Sequence, residues 1–177
     1  GFQAVRQAFD AFLPELGIQP ADMGLCELHR ALSRGLLEET DLARDEIADI
    51  TETLARFLLG VDETRAARTP SEAQQANSAL LHALHAFFQG LAWKRPTVLV
   101  IDDYHWVDTT TAQLAWRLAE VAETAPLFLV ALYRPPIEGE RGSLLAAGGP
   151  LEGRYAPIYL EDLDSASCPD GTPHCLW

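Results

Sequence analysis

At 177 residues, 48% of them hydrophobic and 22% charged, the chain has the size and composition of about one globular domain able to bury a real core. Acids outnumber bases 26 to 13, and a net charge of −13 excludes the basic, phosphate-directed footprint of a nucleic-acid binder and argues against an anionic membrane surface. No apolar run approaches the roughly 18 residues of a spanning helix, and the N-terminal GFQAVRQAFDAF lacks a secretory core with a cleavage site. Three cysteines, Cys26, Cys168 and Cys175, are too few for a disulfide framework, so free thiols in a cytoplasmic protein are expected.

Residues 2 to 16 place Phe2, Val5, Phe9, Phe12 and Leu16 at helical spacing, with Pro14 and Gly17 weakening the end. Leu25 to Leu37 is a second periodic run, and Leu42, Ile47, Ile50, Leu54, Phe57 and Leu58 form a third that stops at Gly60. VDETRAAR reads as a loop. TPSE then supplies a helix start: Thr69 as N-cap, Pro70 at the first position and Glu72 closing a capping box. From there Leu80, Leu81, Leu84, Phe87, Phe88 and Leu91 predict a helix of about 20 residues that ends near Gly90 and Trp93.

The period changes at TVLVID, residues 97 to 102, a continuous aliphatic run of the kind found in strands covered on both faces. Asp108 or Thr109 can cap a helix carrying Leu114, Leu118 and Val121, and PLFLVALY, residues 126 to 133, is a second such run. Strand, helix and strand in so short a span predict a βαβ unit with parallel strands. Residues 156 to 160, APIYL, are a weaker strand candidate; EGERGSLLAAGGP before them is glycine-rich and expected to be mobile. The last residues, SASCPDGTPHCLW, follow no pattern, and 164–177 are expected to be a disordered tail.

Asp102 and Asp103 stand where the first strand runs out, the end at which open parallel sheets place their ligand crevice. One such carboxylate can hold a Mg²⁺ or its waters while its neighbour, on the opposite side of the strand, orients or deprotonates an attacking water. The alternative is that two aspartates merely end a strand and cap the next turn.

The segment VLVIDDYHWVD, residues 98 to 108, followed by LFLVALYRPP, resembles the AAA-type ATPase domain of the signal-transduction ATPases with numerous domains, as attached to LuxR-type regulators and class III adenylate cyclases. That family's Walker B segment has four hydrophobics, two aspartates, a hydrophobic, His, Trp, one residue and Asp, which Val98 to Asp108 matches throughout; Arg134-Pro135 falls where its next strand ends. The resemblance covers roughly residues 75 to 136. It implies an α/β fold: the partial parallel sheet of a P-loop NTPase, mainly helical over 1–92 and βαβ over 97–163. It implies that Asp102 coordinates Mg²⁺ through water, Asp103 polarises the hydrolytic water and Arg134 senses the γ-phosphate, while His105 and Trp106 shape the turn and Asp108 caps the helix.

A phosphate-binding loop needs G-x-x-x-x-G-K-[ST], and the sequence contains none; its sole lysine, Lys94, lies in AWKRP without flanking glycines. The chain is therefore expected to be a fragment of an ATP-dependent signalling switch, binding ATP or ADP and Mg²⁺ only in the complete domain. Its partners are then a Walker A segment upstream and an output domain downstream. Two other functions fit parts of the sequence: a receiver-like phosphoacceptor, disfavoured because no lysine follows Arg134, and a helical, non-enzymatic interaction module formed by residues 2–92. Zinc binding by the tail CPDGTPHC falls short of the four ligands a tetrahedral site requires.

Overall fold

A computed structural model describes residues 6, 9, 12–16, 18–19, 23–60, 69–134 and 155–160. After a single 3₁₀ turn at Leu13–Leu16 come α1 (Leu25–Glu39), α2 (Arg44–Leu58), α3 (Pro70–Lys94), β1 (Thr97–Ile101), a 3₁₀ turn at Tyr104–Trp106, α4 (Thr109–Val121) and β2 (Leu127–Ala131).

The helix ends follow from local chemistry. In α2 the Glu46 carboxylate accepts from the Ala43 N–H at 2.9 Å. At the far end Gly60 turns left-handed (φ 74°) and donates its N–H to the Phe57 carbonyl at 3.0 Å, and the Arg6 guanidinium donates to the Phe57 and Leu58 carbonyls. The expected capping box of α3 is formed: Thr69 Oγ1 accepts from Glu72 N–H and Glu72 Oε2 from Thr69 N–H, both at 3.2 Å. This helix has 25 residues, runs straight through Gly90 and ends at Lys94, beside the Trp93 that the sequence marks. The glycine has another purpose: a Cβ there would lie 2.5 Å from Leu42 Cγ, while Asp41 N–H donates to the Gly90 carbonyl at 3.0 Å. The corner between α1 and α2 sits directly on α3.

Periodic apolar positions meet in one core: Leu28, Leu32 and Leu36 from α1, Ile50 and Leu54 from α2, Leu84, Phe87 and Leu91 from α3, and Leu114, Leu118 and Leu127 beyond them. Phe9 stacks on Phe87 with ring centroids 4.4 Å apart. Each such side chain, fully buried, contributes about 1.5–3 kcal/mol relative to exposure.

β1 and β2 are parallel, in register from Thr97↔Leu127 to Ile101↔Ala131, as the βαβ pattern predicts. The expectation that both faces are covered is not met. Leu99, Ile101, Leu127 and Leu129 turn toward the helices, whereas Val98 (64% exposed), Val100 (54%) and Phe128 (66%) turn away. Among the described residues helices pack on one face alone, and a continuous apolar run reads the same whether one face or two is covered. Residues 155–160 also depart from expectation: they form no strand and are exposed throughout, because APIYL finds no pairing edge among the described residues.

The loop VDETRAAR, the glycine-rich segment and the tail with Cys168, Cys175 and its zinc candidates lie outside the described residues. Cys26 is a free, exposed thiol. No described helix is long and apolar enough to cross a membrane.

Candidate functional site

The site is built on the turn that links β1 to α4. Ile101 closes the strand ladder, and Asp102 and Asp103 follow it at the carboxyl end of the sheet, both exposed. Asp103 adopts left-handed backbone geometry (φ 50°, ψ 42°), a conformation aspartate tolerates better than most residues. Asp103 N–H donates to Asp102 Oδ1 at 2.8 Å.

Two backbone bonds to one residue fasten this turn. Leu132 N–H donates to the Ile101 carbonyl at 2.9 Å, and the Leu132 carbonyl accepts from Tyr104 N–H at 2.8 Å. The Tyr104 side chain packs with Ile101 and Ala115 beneath the acids, its burial pushing the phenol pKa up to about 12. Its hydroxyl is buried and has no hydrogen-bond partner among the described residues. Asp108 is the helix cap anticipated from sequence: Oδ1 accepts from Thr110 and Thr111 N–H at 3.0 Å, and Oδ2 from the Thr111 hydroxyl at 2.9 Å. With both oxygens engaged in capping, Asp108 is structural.

His105 Nε2 lies 3.9 Å from Asp103 Oδ1, beyond hydrogen-bonding reach, and its ring tilts against Trp106, which is 81% exposed. Arg134 is exposed three residues past β2, at the same end of the parallel pair as the acids. Lys94 is at the other end: it closes α3 ahead of Thr97, so the five residues of β1, about 16 Å at 3.3 Å each, separate it from Asp102. Arg95 lies 3.7 Å from Glu39 and over the Phe12 ring.

What the turn can hold follows from its donors. Among the described residues no three His, Cys, Asp or Glu side chains converge on a protein-only metal cage. An exposed carboxylate at a strand end fits Mg²⁺ in its usual manner, one or two protein oxygens with waters and phosphates completing the shell. The turn also carries an acid not consumed by capping beside it. The residues the sequence missed are Tyr104, visible there only as one more aromatic, and Leu132, whose contribution is made by backbone atoms and has no signature in residue type.

The AAA ATPase domain family matches residues 3–130, most of the chain and all of the acid turn. This chain belongs to the AAA ATPase domain family. Membership implies nucleotide and Mg²⁺ use by the complete domain, and the match covers the helical layer, β1 and β2 up to Val130. An uncharacterized protein from Rhizobium meliloti (strain 1021) is 33% identical over 67 residues, which are 38% of this chain and 6% of that protein. The AAA ATPase chain thus spans a small part of that relative's length. No solved structure matches it.

Proposed function

We propose that residues 97–134 are the metal- and γ-phosphate-facing half of an ATP-dependent signalling switch, with Asp102 holding Mg²⁺ through water, Asp103 polarising the attacking water and Arg134 sensing the γ-phosphate. Mg²⁺, when bound, neutralises charge on the phosphate oxygens. Asp103 accepts the proton of the water it orients, and Arg134 donates charge-assisted hydrogen bonds. The observation carrying this reading is the placement of two exposed carboxylates and an exposed arginine at one end of a parallel strand pair in an AAA ATPase domain.

The phosphate cradle is proposed to come from polypeptide outside these 177 residues, since no G-x-x-x-x-G-K-[ST] occurs in them and Lys94 stands a strand's length from the acids. Output through a LuxR-type or cyclase domain rests on the sequence resemblance. By this reading the 177-residue chain alone neither binds ATP tightly nor hydrolyses it, because positioning of the γ-phosphate is the larger part of phosphoryl-transfer catalysis.

The decisive experiment fuses a Walker A strand–loop–helix ahead of residue 1 and follows phosphate release with and without Asp102→Asn. Turnover that disappears with the substitution supports the switch. No turnover in either favours the helical interaction module, a reading that the exposed first turns of α3 also suit. Calorimetry finding micromolar affinity for Mg-ATP in the unfused chain overturns the prediction that it is inactive alone.

A further inference from the structure

We propose that Tyr104 is a positioning residue for the acid pair: its buried ring and its backbone bond to Leu132 hold Asp103 in the left-handed conformation that presents both carboxylates at the open end of the sheet. The proposal rests on the reading of Asp102 and Asp103 as metal-facing acids and adds the device that orients them.

The turn contains an element that does not hold itself. Left-handed geometry is disfavoured for an L-residue, less so for aspartate, and such a conformation persists where its surroundings over-determine it. Asp103 is the one non-glycine residue with positive φ among the described residues. Its own side chain supplies no anchor, lying 3.9 Å from His105 and otherwise facing solvent. The residues on either side are fixed instead. Ile101 and Tyr104 are both only 8% exposed, and both bond through their backbones to Leu132, one accepting and one donating. Asp102 and Asp103 are the whole of the chain between these two fastenings. Trp106 N–H donates to the Asp103 carbonyl and Val107 N–H to the Tyr104 carbonyl, so the 3₁₀ turn closes on the downstream side.

Of these fastenings the Tyr104 ring is the buried one set by side-chain identity; the other side-chain contact on the turn is the exposed Asp102 Oδ1, which accepts from Asp103 N–H at 2.8 Å. The ring packs against Ile101 and Ala115, with Leu99, Val107 and Ala131 around them. The hydroxyl has no partner among the described residues, so the effect is assigned to the ring. Leu132 lies two residues before Arg134, and the same clip therefore fixes the register of that arginine against the acids.

The test is NMR of the 177-residue chain as wild type, Tyr104→Phe, Tyr104→Leu and Tyr104→Ala, with two readouts. Without metal, the backbone chemical shifts of Asp103 report its left-handed geometry. In a titration with Mn²⁺ alone, broadening of amide signals 102–106 reports affinity at the acids. Wild type and Tyr104→Phe are expected to agree in both; Tyr104→Leu and Tyr104→Ala lose the left-handed shifts, and Tyr104→Ala weakens Mn²⁺ binding about tenfold while signals from α1 to α3 stay in place. If the alanine variant does not fold, the Phe and Leu pair decides. Left-handed shifts preserved in Tyr104→Leu, or lost in Tyr104→Phe, overturn the proposal. Wild type without Mn²⁺ broadening at 102–106 overturns the metal reading instead, and the metal-free shifts still judge the clamp.

Discussion

The helical layer and the acid turn are held by different forces. In the layer, side chains do the holding: Leu28, Leu36, Leu54 and Leu84 are fully buried and their backbones are ordinary helix. In the turn the side chains at 102 and 103 face water, and order comes from two backbone bonds to Leu132 with one ring beneath. Stability and chemistry therefore sit on separate residues, and substitutions in one region should leave the other largely intact.

Leu84→Ala is the strongest test of that separation. It removes a fully buried side chain and should cost about 2–5 kcal/mol in urea unfolding, while amide signals 102–106 keep their positions in the molecules that remain folded. Collapse of the turn at substitution levels that leave the helices folded would break the comparison.

A smaller effect sharpens it from the other side. At position 103 the backbone geometry makes glycine easier than alanine, so Asp103→Gly should be more stable than Asp103→Ala by about 1 kcal/mol, although both remove the carboxylate. Equal melting temperatures for the two would show that the turn relaxes out of its left-handed form at no cost.

The smallest effect is in pH. His85 of α3 has its pKa lowered from 6.5, first by burial, then by Arg117 of α4 and by His82, with Glu120 opposing. The folded chain binds this proton less readily than the unfolded one. Its contribution to stability is therefore present above pH 6.5 and lost as pH falls below it toward the lowered folded value. His85→Gln should flatten the decline in melting temperature over that interval and leave the acid turn untouched.

Much of the architecture was legible in residue types. Thr69, Pro70 and Glu72 mark a helix start because their side chains and ring make the very contacts that open it, and Asp108 caps α4 for the same reason. Alternation of period distinguishes helices from β1 and β2, and the acids were placed at a strand end correctly. Three things were hidden. The open face carrying Val98, Val100 and Phe128 depends on what packs there, which an apolar run does not encode. The lack of a strand at 156–160 depends on a pairing edge rather than on β-propensity. The clip at Leu132 is made of backbone N–H and C=O groups, which every residue but proline, lacking the N–H, possesses.

Gly90 gives the molecule a keyhole. Its missing side chain leaves a notch in α3 shaped to the Leu42 isobutyl group, and only four residues later α3 ends, just ahead of β1. The α1–α2 corner is thereby seated close to the root of the sheet, and a single methyl group added at position 90 should push Leu42 and that corner off α3 near the place where the strands begin.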